Sequence, residues 1–397
     1  MPDLTPVIAA HRVLVCVGSG GVGKTTTAAA LALWGALHGR RTAVVTIDPA
    51  KRLAECLGLD TSGAHEGPLP PETFAHYGLS PGGTLTALLV DQQSAWDAAV
   101  ARYAPTAEIR ERILANRFYQ GLSRTFAGSH EYMALDTLAT LVQQGAYDLI
   151  VVDTPPTRQA LDFLEAPQRL QRFLDSQASK LFIRSATAKG WSALSAVNRT
   201  TTFLLRKIEE ATGISALEDI IEFFTSMQRM FVDFGDRFGR VRALLTSAET
   251  AFLLVTSPEE EVLAEAEEFR LGLDRLGMAL KGVVVNRMRE PWRGHLPQGR
   301  DRAALAERLR PVLSLTVRDG PHFSWLAHNF LAAQAQARGE GRRVALFARR
   351  CPADAARVHV PLLPAFSADL GGLATLLHYL CGEIRSQSSR RVKSAPA

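Results

Sequence analysis

Short, almost uninterrupted apolar runs alternate along the chain with longer stretches in which apolar positions recur every three or four residues. The runs are Arg12 to Val17, Thr42 to Ile47, Leu85 to Val90, Leu149 to Val152, Ala251 to Thr256, Gly282 to Val285 and Val358 to Pro364. Such runs, rich in valine and bounded by turn residues, read as strands buried on both faces, as in a parallel sheet. Proline in the last of them predicts an edge strand. Thr25 to Leu37 reads as a helix with Gly39 as its stop, and residues 92 to 144 and 159 to 240 read as two helical blocks. In the second block Leu217, Ile220, Ile221, Phe224, Met227, Phe231, Phe234 and Phe238 make one wide apolar face. That face is either bundle core or a groove for an apolar client, with Met227 and Met230 as adaptable side chains. Residues 60 to 83, punctuated by Gly67-Pro68, Pro70-Pro71 and Pro81-Gly82-Gly83, read as an exposed loop. Arg385 to Ala397 reads as a disordered basic tail.

The first strand runs into Gly18-Ser19-Gly20-Gly21-Val22-Gly23-Lys24-Thr25, followed by Thr26. This fits G-x-x-x-x-G-K-[ST], the phosphate-binding loop, placed between a strand and a helix as the chemistry requires. Glycines let the backbone turn with positive φ and approach an anion closely. Gly20, Gly21, Val22 and Gly23 would cradle phosphates with their N–H groups, at the positive end of the following helix. Lys24 would reach the β/γ-phosphates, and the Thr25 hydroxyl would ligate Mg²⁺. ATP and Mg²⁺ are the cofactors this implies.

Two carboxylates end strands of the same predicted sheet, where open α/β folds place their ligand chemistry. Asp48 follows the second strand, in Asp48-Pro49, which is also a common turn pair. Asp153 ends Leu149-Ile150-Val151-Val152, a Walker B pattern whose carboxylate helps hold Mg²⁺. Glu131 reads equally as a helix-start carboxylate near Ser129 and as a contact to the site. Together these features predict an α/β P-loop NTPase: a mostly parallel, roughly seven-stranded sheet flanked by helices. A helical layer is inserted at the nucleotide end. Residues 1–384 form a single P-loop ATPase domain with helical insertions at about 92–144 and 159–240, and 385–397 form the tail. One phosphate loop and no internal repeat occur.

Composition narrows the class. The 397 residues are 47% hydrophobic and 21% charged, as in a globular protein. No apolar run is long enough for an integral membrane span, and Met1 to Ala10 lacks the charged head of a signal peptide. A cytoplasmic location is expected, with a peripheral membrane contact left open. The net charge of +5 is weak for this length, and arginine supplies most of the positive charge. Nucleic-acid binding is not expected. The four cysteines, Cys16, Cys56, Cys351 and Cys381, form no C-x-x-C.

The motifs GSGGVGKTT at 18–26, TIDPAKRL at 46–53, GSHEYMA at 128–134, DTPPTRQALDFL at 153–164 and VVVNRM at 283–288 occur in an order that resembles the ArsA family. That family comprises the arsenical-pump ATPases and the tail-anchored-protein targeting ATPases, within a wider group of dimeric ATPases that includes MinD and nitrogenase iron protein. The closest resemblance is to the bacterial anion-transporting ATPase branch. It implies that Gly20 to Thr26 hold phosphates and Mg²⁺, that Asp48 positions the attacking water, and that Asp153 contacts Mg²⁺ through water. It also implies that Asn286 reads adenine and that Pro361 lies against the adenine ring. Family members usually carry a second lysine where this chain has Ser19. Lys51, Arg52 and Arg158 are the cations placed near enough in sequence to substitute, and Arg158, just after the Walker B motif, is the candidate favoured for a catalytic role. The zinc-binding C-x-x-C of the targeting ATPases is absent, as is the duplication of the pumps.

The function implied is an ATP-hydrolysing dimeric switch that couples hydrolysis to binding or release of a protein client at the helical layer. The dimer is a homodimer or a heterodimer with a paralogue. The alternatives are a MinD- or ParA-like partition scaffold and a low-turnover nucleotide-binding subunit.

Overall fold

The central apolar runs form strands because their side chains find an apolar layer on either face, as in Val13–Val17, Leu149–Asp153 and Thr250–Thr256, whereas the edge strands leave Leu89 and His359 exposed. A computed structural model describes residues 3–46, 52–59, 68–89, 92–104, 106–116, 119–120, 129–155, 161, 164–165, 237, 239–292, 305–306, 320–363 and 365–382. The strands are β1 (Val13–Val17), β2 (Arg41–Thr46), β3 (Thr84–Leu89), β4 (Leu149–Asp153), β5 (Thr250–Thr256), β6 (Leu280–Met288) and β7 (Ala356–Pro361). They make one sheet in the order β3-β2-β4-β1-β5-β6-β7. Every strand pairing in it is parallel. β7, which carries Pro361, lies at an edge, where a missing N–H disturbs no ladder.

Successive residues of a strand point to opposite faces, and the two cores follow that rule. Val13, Val15, Val17, Ile150, Val152 and Phe252 share one core. Leu14, Cys16, Val44, Val151, Leu253 and Val284 share the other. The second face is covered by α1 (Thr5–Ala10), α2 (Lys24–Leu37), α3 (Arg52–Leu57), α4 (Pro71–Ala75) and, after β7, the helix Leu370–Cys381. Helix α2 is buried almost throughout, and its alanines and Gly35 explain how. A Cβ on Gly35 would come 2.5 Å from Thr42 Oγ1, so the helix lies directly on β2 and β4.

The first face carries the described part of the helical layer, α5 (Gln92–Tyr103), α6 (Ala107–Ala115) and α7 (Ser129–Gln144). Val100, Ile113, Leu135 and Leu138 of these helices join the core under the sheet. Buried Asp136 of α7 ties the layer together, pairing with Arg102 of α5 at 2.8 Å and with buried Arg237. Further along lie α8 (Glu260–Leu276), α9 (Gly320–Ala348) and α10 (Leu370–Cys381). No described helix is long and apolar enough to cross a membrane.

Two features depart from the sequence pattern. Residues 68–83 are not a uniformly exposed loop: Pro71–Ala75 is a helical turn, and Leu69, Phe74 and Leu79 are buried in the core beside α2. Proline at the first turn of a helix loses no hydrogen bond, so the Pro-rich composition did not prevent helix formation there. Helix α9 is not among the elements the pattern predicts, and Gly339 and Gly341 lower its propensity. It is held by tertiary bonds instead. Glu340, 2% exposed, accepts from Arg289 N at 3.0 Å, Gln334 Oε1 accepts from Trp292 N at 2.9 Å, and Arg343 Nε donates to Pro258 O at 3.1 Å. These bonds fix the exits of β5 and β6. The proposed apolar face from Leu217 to Phe238, the rest of the block 159–240 outside residues 161, 164–165, 237 and 239–240, and the tail 385–397 lie outside the described residues.

Candidate active site

The sheet order brings the C-terminal ends of β2, β4, β1, β5 and β6 side by side, and the phosphate loop leaves from the central strand β1. Gly18 turns the chain out of β1 with φ +146°, and a Cβ there would lie 2.0 Å from Val255 O of β5. Only glycine fits at that spot. Gly21 (φ +75°) and Gly23 (φ +100°) complete the left-handed turns of the loop, and Gly23 caps α2. Lys24 opens α2, is 7% exposed, and donates from Nζ to Ser19 O at 2.9 Å, across the loop.

The strand register assembles the carboxylate end of the site. Asp153 lies beside Cys16 of β1 on one side and Thr46 of β2 on the other. Its carboxylate is fully buried. Thr25 Oγ1 donates to Asp153 Oδ2 at 2.7 Å, and Thr46 Oγ1 donates to the same oxygen at 3.1 Å. Thr154 Oγ1 donates to Cys16 O at 2.8 Å and holds the start of the following segment against β1. Hydroxyl and carboxylate oxygens at the mouth of a phosphate loop are hard donors of the kind Mg²⁺ takes, one carboxylate with the rest from substrate and water. Thr25 and Asp153 therefore fit the ion. Burial, and next the Asp153 charge, push the Cys16 thiol up, so it stays protonated within the strand.

At the other side of the loop, Asn286 ends the regular part of β6, and its Nδ2 donates to Val22 O at 2.8 Å. Pro361 of β7 pairs with Met288, and Leu362 N donates to Met288 O at 2.9 Å. Asn286 and Pro361 thus reach the same end of the sheet as the loop, on neighbouring strands. Thr26 lies in the first turn of α2 and is half-buried. Ser19, 4% exposed, turns its hydroxyl inward, with no hydrogen-bond partner for it among the described residues. Of the cations weighed against the missing lysine, Arg52 opens α3 and is exposed. Asp48, Lys51 and Arg158 lie outside the described residues, as does the side chain of Glu131.

Thr46 is the site residue to which the sequence assigned no role. It opens the motif at 46–53, but the pairing of β2 with β4 is needed to place it on Asp153.

Comparison with known proteins gives the family. A family model described as anion-transporting ATPase matches residues 11–292. An "ATPase ASNA1 homolog" from Cryptosporidium parvum is 29% identical over 287 residues, covering 72% of this chain and 66% of that protein. A "Putative arsenical pump-driving ATPase 2" from Aquifex aeolicus is 23% identical over 282 residues, covering 70% of this chain and 80% of its own length. An "Uncharacterized protein SCO2128" from Streptomyces coelicolor is 35% identical over 164 residues, 41% of this chain and 39% of that protein. The match therefore takes in just under two thirds of the first of these relatives and well under half of the last.

Proposed function

The chain belongs to the anion-transporting ATPase family, and from that premise we propose that it is a Mg-ATP hydrolase acting as a dimeric switch. It couples the nucleotide state to binding or release of a protein client at the helical layer. The observation that carries this is the bond from Thr25 to Asp153, 2.7 Å long, which joins the phosphate loop to the strand-end carboxylate beside it. Two elements 128 positions apart meet there, which supports a Mg-nucleotide site at this point.

In this reading the loop N–H groups and Lys24 bind the phosphates, and Asn286 and Pro361 face the base. Asp48 orients the attacking water by accepting a hydrogen bond from it. Mg²⁺, when bound, neutralises charge on the phosphate oxygens. Steady-state phosphate release by the purified chain, with and without Mg²⁺, tests the reading. Sedimentation with and without ATP tests the dimer, and failure to hydrolyse ATP under any Mg²⁺ concentration overturns the switch.

Ser19 sharpens one step. It is neutral and short, so it can donate one hydrogen bond to a phosphate oxygen but supplies no charge. We assign the missing cation to Arg158, whose planar and permanently charged fork suits phosphate oxygens. Arg158→Ala is expected to lower kcat about a hundredfold with ATP affinity little changed, since the charge it meets develops in the transition state. An unchanged kcat removes Arg158 from the mechanism. Slow turnover in the wild type as well then favours the low-turnover subunit, the reading that Ser19 itself supports.

Metalloid transport is not part of the proposal. Cys351 lies in the core on one face of the sheet, and Cys16, Cys56 and Cys381 in the core on the other. Burial pushes the thiols of Cys16, Cys56 and Cys351 up, away from the thiolate that metalloids require. Arsenite and antimonite are expected to leave the ATPase rate unchanged. A stimulation that disappears on substituting any of the four cysteines would contradict this.

A further inference from the structure

Asn286 holds the phosphate loop by its backbone. Its Nδ2 donates to Val22 O at 2.8 Å, and its Oδ1 accepts from Arg287 N at 2.9 Å. In a trans peptide the carbonyl and the N–H point in opposite directions. Drawing the Val22 carbonyl outward to Asn286 therefore sets the Gly23 N–H toward the opposite side. Gly23, at φ +100° and without a Cβ, is free to let that peptide turn over, so the loop itself does not decide the orientation. The packing is close: a Cβ on Gly23 would lie 2.5 Å from Asn286 Nδ2. Glycine at 23 and asparagine at 286 are thus fitted to each other.

The end of β6 is shaped to aim this side chain. The register between β6 and β7 shifts between Val285 and Met288, a bulge that spans Asn286 and Arg287. Arg287 has φ +59° and is the one non-glycine residue with positive φ among the described residues. Bulges re-aim side chains next to active sites, and an uncommon backbone conformation persists where its surroundings over-determine it. The Arg287 amide is the donor that locks Asn286 Oδ1.

We propose that Asn286 is a positioning residue for the phosphate loop: its bond to the Val22 carbonyl keeps the Gly23 N–H facing the phosphates before any base is bound. The proposal rests on the nucleotide-binding reading above and goes beyond a contact to the base. A side-chain amide has two donors and two acceptor sites. One of each is used here, and one of each remains for a base.

The test uses a ligand that has phosphates and no base. Inorganic tripolyphosphate with Mg²⁺ is titrated against a fluorescent ATP analogue bound to the full chain, in wild type, Asn286→Ala and Asn286→Asp. The aspartate keeps the size and the acceptor for Arg287 N but presents oxygen to the Val22 carbonyl, so it remains informative if the alanine variant fails to fold. Far-UV circular dichroism and the thermal midpoint check folding. The expected result is a loss of tripolyphosphate affinity of about tenfold or more in each folded variant, the scale of one hydrogen bond and its unpaired partner. Wild-type tripolyphosphate affinity in a folded variant whose ATP affinity has fallen overturns the proposal, because Asn286 then acts on the base alone. It is also overturned if wild type binds ATP but not tripolyphosphate, since the loop is then not held without a base. Failure of the wild type to bind ATP at all is a different result and removes the nucleotide reading instead.

Discussion

Lys24→Ala is expected to lower kcat by roughly 10³-fold or more, the scale of removing a cation from the charge that develops on a transferring phosphoryl group. ATP binding should weaken roughly 10- to 100-fold as well, since a hydrogen bond from a charged donor contributes about 1.5–3 kcal/mol. The position explains both effects. Lys24 begins α2 with its side chain 7% exposed and its ammonium 2.9 Å from Ser19 O, inside the curve of the loop. A ligand phosphate there replaces a neutral carbonyl partner with an anion, which strengthens the bond. Alanine is the best helix former, so the start of α2 should survive the change. Single-turnover hydrolysis and calorimetric titration with ATP separate the two losses, and near-wild-type values for both would refute the site.

Asp153→Asn is expected to reduce kcat about 10²- to 10³-fold, the range found when one preorganised electrostatic group is removed from a reacting centre. The Mg²⁺ needed for half-maximal rate should rise at the same time. Shape is conserved in this variant, and the amide oxygen can still accept from Thr25 and Thr46. Charge is what is lost. Asp153 is fully buried at the end of β4, and a buried carboxylate is costly to keep without a cation. The variant should therefore melt at the same temperature as wild type or higher when Mg²⁺ and nucleotide are absent. A Mg²⁺ titration of activity, with thermal unfolding in chelator, measures both effects. A variant with normal Mg²⁺ dependence would show that Asp153 serves the fold alone.

Much of the architecture was legible in the chain because its strands lie in the middle of a parallel sheet. Leu149-Ile150-Val151-Val152 is apolar at every position since both faces of β4 are covered, and that leaves an unbroken run in the sequence. Residues 71–75 and α9 were harder. A proline-rich helical turn and a long helix interrupted by glycines run against local propensity, and each is held by partners from elsewhere in the chain. Local preference is a weak prior wherever tertiary packing supplies the stabilisation.

The sequence by itself determined the phosphate loop, the seven strands and the carboxylate at the end of β4. Those features are contiguous: they depend on residue type at fixed spacing, and the backbone chemistry of glycine, lysine and threonine is local. Only the tertiary structure decided which strand ends meet. It put Thr46 on Asp153 through the register of β2 against β4, and Asn286 on Val22 across 264 positions through the bulge at the end of β6. Strand order is set by how crossovers pack over the sheet, and a hydrogen bond between distant residues leaves no spacing in the chain from which it can be read.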